Sequence, residues 1–186
     1  MKWTGFIAFG LAAVLQSSAG VAWAAPASRE AVRAVLRGHE DQRMTAEDWR
    51  RLGDGVDVLL VEAAADPRLV FGARQKALGA LGTLGGERAQ EFLDRVVTAR
   101  ETPAPLLSTA IQAYARGFGK DERAQALGAG LLGHEDWQVR RGAVRALGTL
   151  RTAEARAAIR SHEAREPHPA VRAAMRSALA EGPASR

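Results

Sequence analysis

The pentapeptide ALGTL stands at residues 80–84 and again at residues 146–150. Two related segments follow the same rhythm, AYARG at residues 113–117 and ALAEG at residues 178–182. The four segments start 33, 33 and 32 residues apart, a period typical of proteins built from stacked pairs of helices. The sequence therefore predicts an all-α superhelix, an α-solenoid of about four helical pairs.

A second series of similar segments alternates with the first. ERAQ stands at residues 87–90 and 122–125, and EARA at residues 154–157, so each repeat has two elements. Both elements show helical spacing of apolar residues, i, i+3, i+4 and i+7. In one element these are Ala89, Phe92, Leu93, Val96 and Val97, and in the other Val139, Ala143, Ala146, Leu147 and Leu150.

Two stretches carry a family resemblance. EDWQVRRGAVRALG at residues 135–148 and EPHPAVRAAMRSALA at residues 166–180 resemble the second helix of a HEAT repeat, a unit of the armadillo-like helical class. The resemblance covers about residues 45–181. It is specific for fold and weak for function, because packing defines this family. Bilin-lyase-like enzymes share the repeat type, but the sequence shows nothing catalytic in common with them.

The resemblance also implies structural roles for several residues. The arginine after the valine usually bonds to an acidic residue in the turn. By position this role falls on Arg140 and Arg172, with Asp136 and Glu166 as acceptors, and Arg74 matches as well. The repeat around Leu106 and Leu107 has no such arginine, so a ladder of polar contacts would be interrupted there.

The period divides the chain into units. We predict repeats at 45–84, 86–118, 120–151 and 152–181, preceded by a capping helix and linker at 25–44 and followed by a tail at 182–186. The opening helix of the first repeat contains Gly53 and Gly55 and should break there. A degenerate first repeat is expected at the end of a stack.

The first residues have the order of a secretory signal peptide. Lys2 precedes the apolar run FIAFGLAAVL at residues 6–15, and small residues stand at Ala22 and Ala24. We place cleavage after Ala24, which makes residues 1–24 the signal and the mature chain secreted or periplasmic. The alternative is an uncleaved anchor over residues 3–25. With cleavage, no membrane span remains.

Composition bounds the remaining choices. The chain has no cysteine, so its stability comes from packing and not from disulfides. Its formal net charge is +5 and its pI is near 10.6. Eight acids and three arginines lie between Glu40 and Asp66, whereas nine arginines and three glutamates lie between Trp137 and Arg176. The charge therefore runs from an acidic amino-terminal end to a basic carboxy-terminal end.

No combination of residues predicts catalysis or metal binding. The histidines are His39, His134, His162 and His168, and two of them belong to GHED segments that are 95 residues apart. Turn chemistry explains these histidines better than ligation does, because no other residue stands at metal-ligand spacing. We therefore expect no enzyme activity, no metal and no cofactor.

The repeat alignment predicts where a ligand would bind. Second helices line the concave side of HEAT proteins, and their residues off the apolar stripe form rows. One row is Gln75, Ser108, Arg141 and Ala173; the next is Gly79, Gln112, Arg145 and Ser177; a third is Gly82, Ala115, Gly148 and Ala180. Arg176 is placed at the rim, and Trp137 is a packing residue first and a binding residue second. The alternative is that the rows are solvated positions without a ligand.

The expected partner is a protein or peptide held in this groove by a scaffold. The alternative is an anion binder that engages envelope polysaccharide, lipid head groups or nucleic acid through the arginines of the last two repeats. Nucleic acid is the least expected of these, because the chain has an export signal and its basic patch lacks interleaved exposed aromatics.

Overall fold

The computed structural model describes residues 25–38 and 44–180. The predicted signal peptide, the predicted tail and most of the first GHED segment lie outside these residues. The described helices are α1 Arg29–Arg37, α2 Ala46–Arg50, α3 Val56–Ala65, α4 Phe71–Leu84, α5 Glu87–Thr98, α6 Ala104–Phe118, α7 Glu122–Gly130, α8 Trp137–Leu150, α9 Ala153–Glu163 and α10 Pro169–Ala180. A 3-10 turn, Leu131–Gly133, follows α7. Within the described ranges there is no β-strand, which confirms the all-α prediction.

The helices stack as antiparallel pairs: α3 with α4, α5 with α6, α7 with α8, and α9 with α10. We call the first members of these pairs the first helices and the second members, α4, α6, α8 and α10, the second helices. Each second helix packs along most of its length against the next one, whereas successive first helices touch much less. The second helices therefore lie on the inner side of the curve, as expected for a solenoid.

Local sequence sets where the helices begin and end. Thr45 and Asp48 form a reciprocal capping box at α2, and the Thr152 side chain caps α9 by accepting from the Ala155 amide. Between α4 and α5 the chain reverses through Gly85 and Gly86, with φ of +69° and +89°. Side chains larger than glycine rarely adopt these angles, so the pair marks the boundary between two repeats.

The first pair is irregular, as the sequence predicts. Gly53 and Gly55 have φ of +117° and +77°, and they separate α2 from α3. The strand-like segment before α1 contacts this break, because the Ala27 amide donates to the Asp54 carbonyl over 2.8 Å. A Cβ on Gly53 would lie 2.4 Å from the Ala25 carbonyl oxygen, so only glycine fits there.

The buried side chains form two clusters. The larger cluster runs from α1 to α8 and includes Leu60, Leu81 and the almost fully buried Tyr114. The smaller cluster joins α8, α9 and α10 through residues such as Leu147 and Met175. Because neighbouring pairs share each cluster, no pair buries its own apolar face alone.

Ion pairs connect the first helices on the outer side of the stack. Arg88 of α5 pairs with Asp57 of α3, and Arg123 of α7 pairs with Asp94 of α5. These side chains are one third to one half exposed or more, so each pair contributes at most about 1 kcal/mol. The acidic side chains of the first helices are thus directed to the outer surface.

A search of residues 25–38 and 44–180 for a helix with the length and apolar character of a membrane span finds none.

Candidate functional site

The four second helices contain no acidic residue. Their basic residues are Arg74, Lys76, Arg116, Arg140, Arg141, Arg145, Arg172 and Arg176. The first helices, by contrast, carry glutamate or aspartate in every pair. The inner layer of the solenoid is therefore positive, in addition to the charge gradient along the chain.

Three of these arginines bond to the chain within the fold. Arg140 donates from Nη1 to the carbonyls of His134 and Glu135, both over 2.8 Å. Arg172 repeats this pattern one unit later, on the carbonyls of Glu166 and Pro167. Arg74 donates to the Ala64 carbonyl at the end of α3. These residues tie α4, α8 and α10 to the turn or helix before each of them, whereas α6 has no such arginine.

The acidic partner of Arg140 differs from the sequence expectation. Arg140 donates from Nε and Nη2 to the two carboxylate oxygens of Glu166, over 2.8 and 2.9 Å, so the bond crosses to the next repeat. Asp136, which we expected to be an acceptor, instead caps α8 by accepting from the Gln138 amide. The Arg140 hydrogen bond lowers the pKa of Glu166, against the opposing effect of burial. Among the described residues Arg172 bonds to backbone carbonyls and to no carboxylate.

The histidines of these turns accept hydrogen bonds from backbone amides. Nδ1 of His168 accepts from the Ala170 amide, as the Asp136 carboxylate does for Gln138 in the preceding repeat. Nδ1 of His134 accepts from the Asp136 amide. Since a backbone N–H can only donate, both rings are placed with Nδ1 unprotonated. Among the described residues no group of three or more histidine, aspartate or glutamate side chains is arranged to hold a metal ion.

The three predicted rows do not all face the solvent. Gln75 and Ser108 lie in the seams between second helices: Gln75 donates to the Pro105 carbonyl and to the Thr109 hydroxyl, and Ser108 packs on Gly142. In the third row Gly82 and Ala115 are buried, whereas Gly148 is partly exposed and Ala180 is exposed.

We call the solvent-facing side of α4, α6 and α8 the inner face. It consists of Gly72, Lys76, Gly79, Thr83, Pro105, Thr109, Gln112, Arg116, Gln138, Arg145 and Thr149, all of them partly or fully exposed. Gln112 and Arg145, from the second predicted row, are members. Gln112 donates to the Ser108 carbonyl of its own helix.

Two basic residues of the inner face were not among the binding residues predicted from the sequence. Lys76 on α4 and Arg116 on α6 are exposed, and they extend the positive surface to the amino-terminal half of the stack. Lys76 contacts the Gly38 carbonyl at the end of α1. In the described part of the chain Arg116 and Arg145 form no ion pair. The signal that could have revealed this surface is the lack of acids in all four second helices.

Arg141 and Trp137 form a stack with a residue of the next repeat. The indole of Trp137 lies parallel to the His168 imidazole, with ring centroids 4.2 Å apart. The Arg141 guanidinium carbon is 5.0 Å from the centroid of the Trp137 ring. Trp137 is thus a packing residue between the third and fourth pairs that positions Arg141 beside the inner face.

Arg176 occupies a different surface from the groove. It stands where the three earlier repeats have Leu78, Ile111 and Val144, buried residues that face the following pair. On α10 this side is exposed, and Arg176 lies there. It therefore belongs to the open side of α10 and not to the inner face.

Two depressions lie on the surface of the described residues. One of about 480 Å³ lies between α1, α3 and the following turn, and its arginines are paired: Arg29 with Glu62, and Arg33 and Arg68 with Asp66. The other, of about 650 Å³, lies at the carboxy-terminal ends of α6 and α8 and is lined by Arg116, Lys120 and Thr149 among others. Only the second adjoins the inner face.

Comparison with known proteins agrees with this architecture. Residues 97–180 match the family model of HEAT repeats. This match confirms the resemblance to HEAT repeats over residues 97–180. No curated protein matches the chain. Among solved structures, human deoxyhypusine hydroxylase in complex with glycerol is similar, with 26% identity and a TM-score of 0.47. The similarity covers 66% of this chain and 42% of that one.

One expectation from the sequence is corrected by this comparison. We expected the protein not to be an enzyme, yet the similar human protein is a hydroxylase. Proteins of one fold have many functions, so the fold alone does not exclude catalysis. The similarity assigns no reaction to this chain, because it is low and the chain spans less than half of the human protein.

Proposed function

We propose that this chain is an exported helical-repeat scaffold that holds a protein or peptide against the inner face. One observation supports the proposal above all: the second helices carry no acid, while Lys76, Arg116 and Arg145 extend into solvent from three successive helices. A solvated surface without a ligand has no need to separate its charges in this way, because mixed charges solubilise a helix equally well.

The part of the inner face between these charges suits a polypeptide. We call it the floor, and it consists of Gly79, Thr109 and Gln112. A Cβ built on Gly79 would meet no atom within 4 Å. Small side chains let a ligand backbone approach closely, and the hydroxyl and amide groups can hydrogen-bond to it. The basic residues around the floor favour a ligand of acidic character.

Charge reversal on α8 tests the binding face. In the variant Arg141→Glu/Arg145→Glu, capture of a partner from an envelope extract should fall at least about tenfold, because two attractive charges become repulsive. The matched control is Arg95→Glu/Arg160→Glu, which makes the same charge change on exposed residues of first helices. Both variants should keep their helical circular dichroism. Equal capture by both variants would show that the inner face is not the binding surface.

The same positive face also suits a second candidate, an anion binder for polysaccharide, lipid head groups or nucleic acid. The dependence of binding on ionic strength distinguishes the two candidate functions. Binding by phosphate or sulfate neutralisation weakens steeply as ionic strength rises, whereas a packed peptide contact loses less. A tenfold salt increase that abolishes capture without residual binding would favour the anion binder.

Export is proposed on the sequence alone. The order of Lys2, the apolar run at residues 6–15 and the small residues before Ala25 supports a cleaved signal peptide. The chain recovered from the extracytoplasmic fraction should begin at Ala25 on amino-terminal sequencing. A chain that keeps Met1 and stays in the membrane fraction would support the anchor instead.

A further inference from the structure

Resting on the proposed function, we propose that the inner face binds an extended peptide segment that presents a carboxylate at every third residue. Each carboxylate would meet one second helix: Lys76 on α4, Arg116 on α6 and Arg145 on α8. The segment would cross the second helices and not run along one of them.

The spacing follows from elementary dimensions. Packed helices lie about 8–10 Å apart. An extended chain advances about 3.3 Å per residue, so it passes about three residues over each helix. A ligand that crosses the helices therefore brings residues i, i+3 and i+6 over α4, α6 and α8 in turn. Because side chains at this spacing fall alternately on both sides of a flat strand, the ligand must twist towards a threefold conformation such as polyproline II.

The basic side chains are available for such contacts. In the described ranges neither Arg116 nor Arg145 has an acidic partner within 4.0 Å. Lys76 bonds to one carbonyl, that of Gly38, and an ammonium group has three donors. In the repeat alignment Arg116 lies one turn beyond Arg145 and seven residues, about 10 Å, beyond Lys76. The combined lengths of the lysine and arginine side chains must span this second offset.

The Gln112 amide of the floor and the Gln75 amide of the adjoining seam add acceptors. The Gln75 amide nitrogen donates to the Pro105 carbonyl, and the Gln112 amide nitrogen to the Ser108 carbonyl. Since carbonyl oxygens only accept, both amides are fixed with their nitrogens towards the protein, which leaves their oxygens as acceptors. Peptide N–H groups can donate to such oxygens, whereas a phosphodiester or sulfate group has no proton to donate.

A single-stranded nucleic acid fits this face less well. Proteins that bind such strands stack the bases on exposed aromatic side chains. None of the inner-face residues is aromatic, and the indole of Trp137 is already stacked on His168. Phosphates also follow one another more closely than one per helix.

The experiment compares three fluorescent probes on the purified chain. The first is a peptide of about 12 residues made of Glu-Ser-Gly units, long enough to cross four helices. The second has the same composition with its glutamates consecutive, and the third is a thymidine oligonucleotide of similar length. We expect the periodic peptide to bind about fivefold more tightly than the clustered one and than the oligonucleotide, because only it can pair with every helix at once. Arg116→Glu should weaken the periodic peptide about tenfold, and the control Arg95→Glu less than about twofold.

Each other outcome overturns the proposal in a distinct way. Equal affinity of the two peptides would show that the inner face does not recognise carboxylates spaced three residues apart. Tighter binding of the oligonucleotide would make the face a polyanion site. No binding of either peptide, with envelope capture still lost in Arg141→Glu/Arg145→Glu, would end this inference and leave the proposed function in place.

Discussion

Replacing Arg140 by methionine is expected to lower the free energy of unfolding by about 3–5 kcal/mol. The Arg140 and Glu166 side chains are only 13% and 3% exposed, and they form two parallel hydrogen bonds. Methionine fills much of the space but leaves the Glu166 carboxylate buried with one remaining donor, the His168 amide. Urea unfolding at neutral pH, followed by circular dichroism, measures the loss.

Measurements at acid pH distinguish the loss of the Arg140–Glu166 ion pair from a simple packing defect. In the folded protein the pKa of Glu166 lies below its ordinary value, so the ion pair stabilises the fold above the pKa of an unfolded glutamate and is lost as pH falls through the folded pKa. In Arg140→Met the carboxyl protonates earlier, and the difference in unfolding free energy between the variant and the parent should shrink from pH 7 to about pH 3. Arg165→Met, at an exposed site of the same loop, should cost less than about 0.5 kcal/mol. A pH-independent difference would mean that the charge of Glu166 plays no part.

The variant Gly82→Ala should destabilise the protein by about 1–3 kcal/mol. A Cβ on Gly82 would lie 2.4 Å from the Ala113 carbonyl oxygen, and backbone atoms cannot move aside as a flexible side chain does. The approach is reciprocal, since a Cβ on Gly117 would lie 2.4 Å from the Gly82 carbonyl oxygen. The α4–α6 seam therefore depends on the missing side chain, and thermal melting should show a lower midpoint.

Gly79 provides the matched control one turn earlier on the same helix. A Cβ there would meet no atom within 4 Å, so Gly79→Ala should stabilise the protein by about 0.5–1 kcal/mol through helix propensity alone. The two substitutions are chemically identical and have opposite expected signs. Stabilisation by both would show that α4 and α6 are further apart than described.

Much of the fold could be read from the sequence because its period is nearly exact. The repeated ALGTL segments at residues 80–84 and 146–150 belong to α4 and α8, and Gly53 and Gly55 interrupt the first pair as expected. The division into repeats at the chosen boundaries and the signal peptide stay predictions. The acceptor of Arg140 could not be read, because a family pattern names residue types in a turn and does not say that Glu166 of the following turn lies closer than Asp136.

The site was harder to read for a geometric reason. Periodicity identifies which residues are equivalent, but the rotation of each helix decides which equivalent row faces solvent. Gly82 lies in the seam between α4 and α6, and Gln75 lies at the edge of that seam. Lys76 and Arg116, which the rows did not include, lie on the inner face. Counting acids along each helix would have found this face without a structure. The expectation of no catalysis was wrong. It was based on the lack of catalytic motifs in the sequence, and a fold that is defined by packing does not exclude enzyme activity.

Site-specific photocrosslinking tests the binding role of the inner face most directly. A photoreactive residue at Gln112, in the middle of the inner face, is compared with one at Glu91, exposed on the first helix of the same pair. After illumination with an envelope extract, we predict an adduct of one defined partner at position 112 and none at position 91. An adduct at position 91 alone, or equal yields at both positions, would contradict the account.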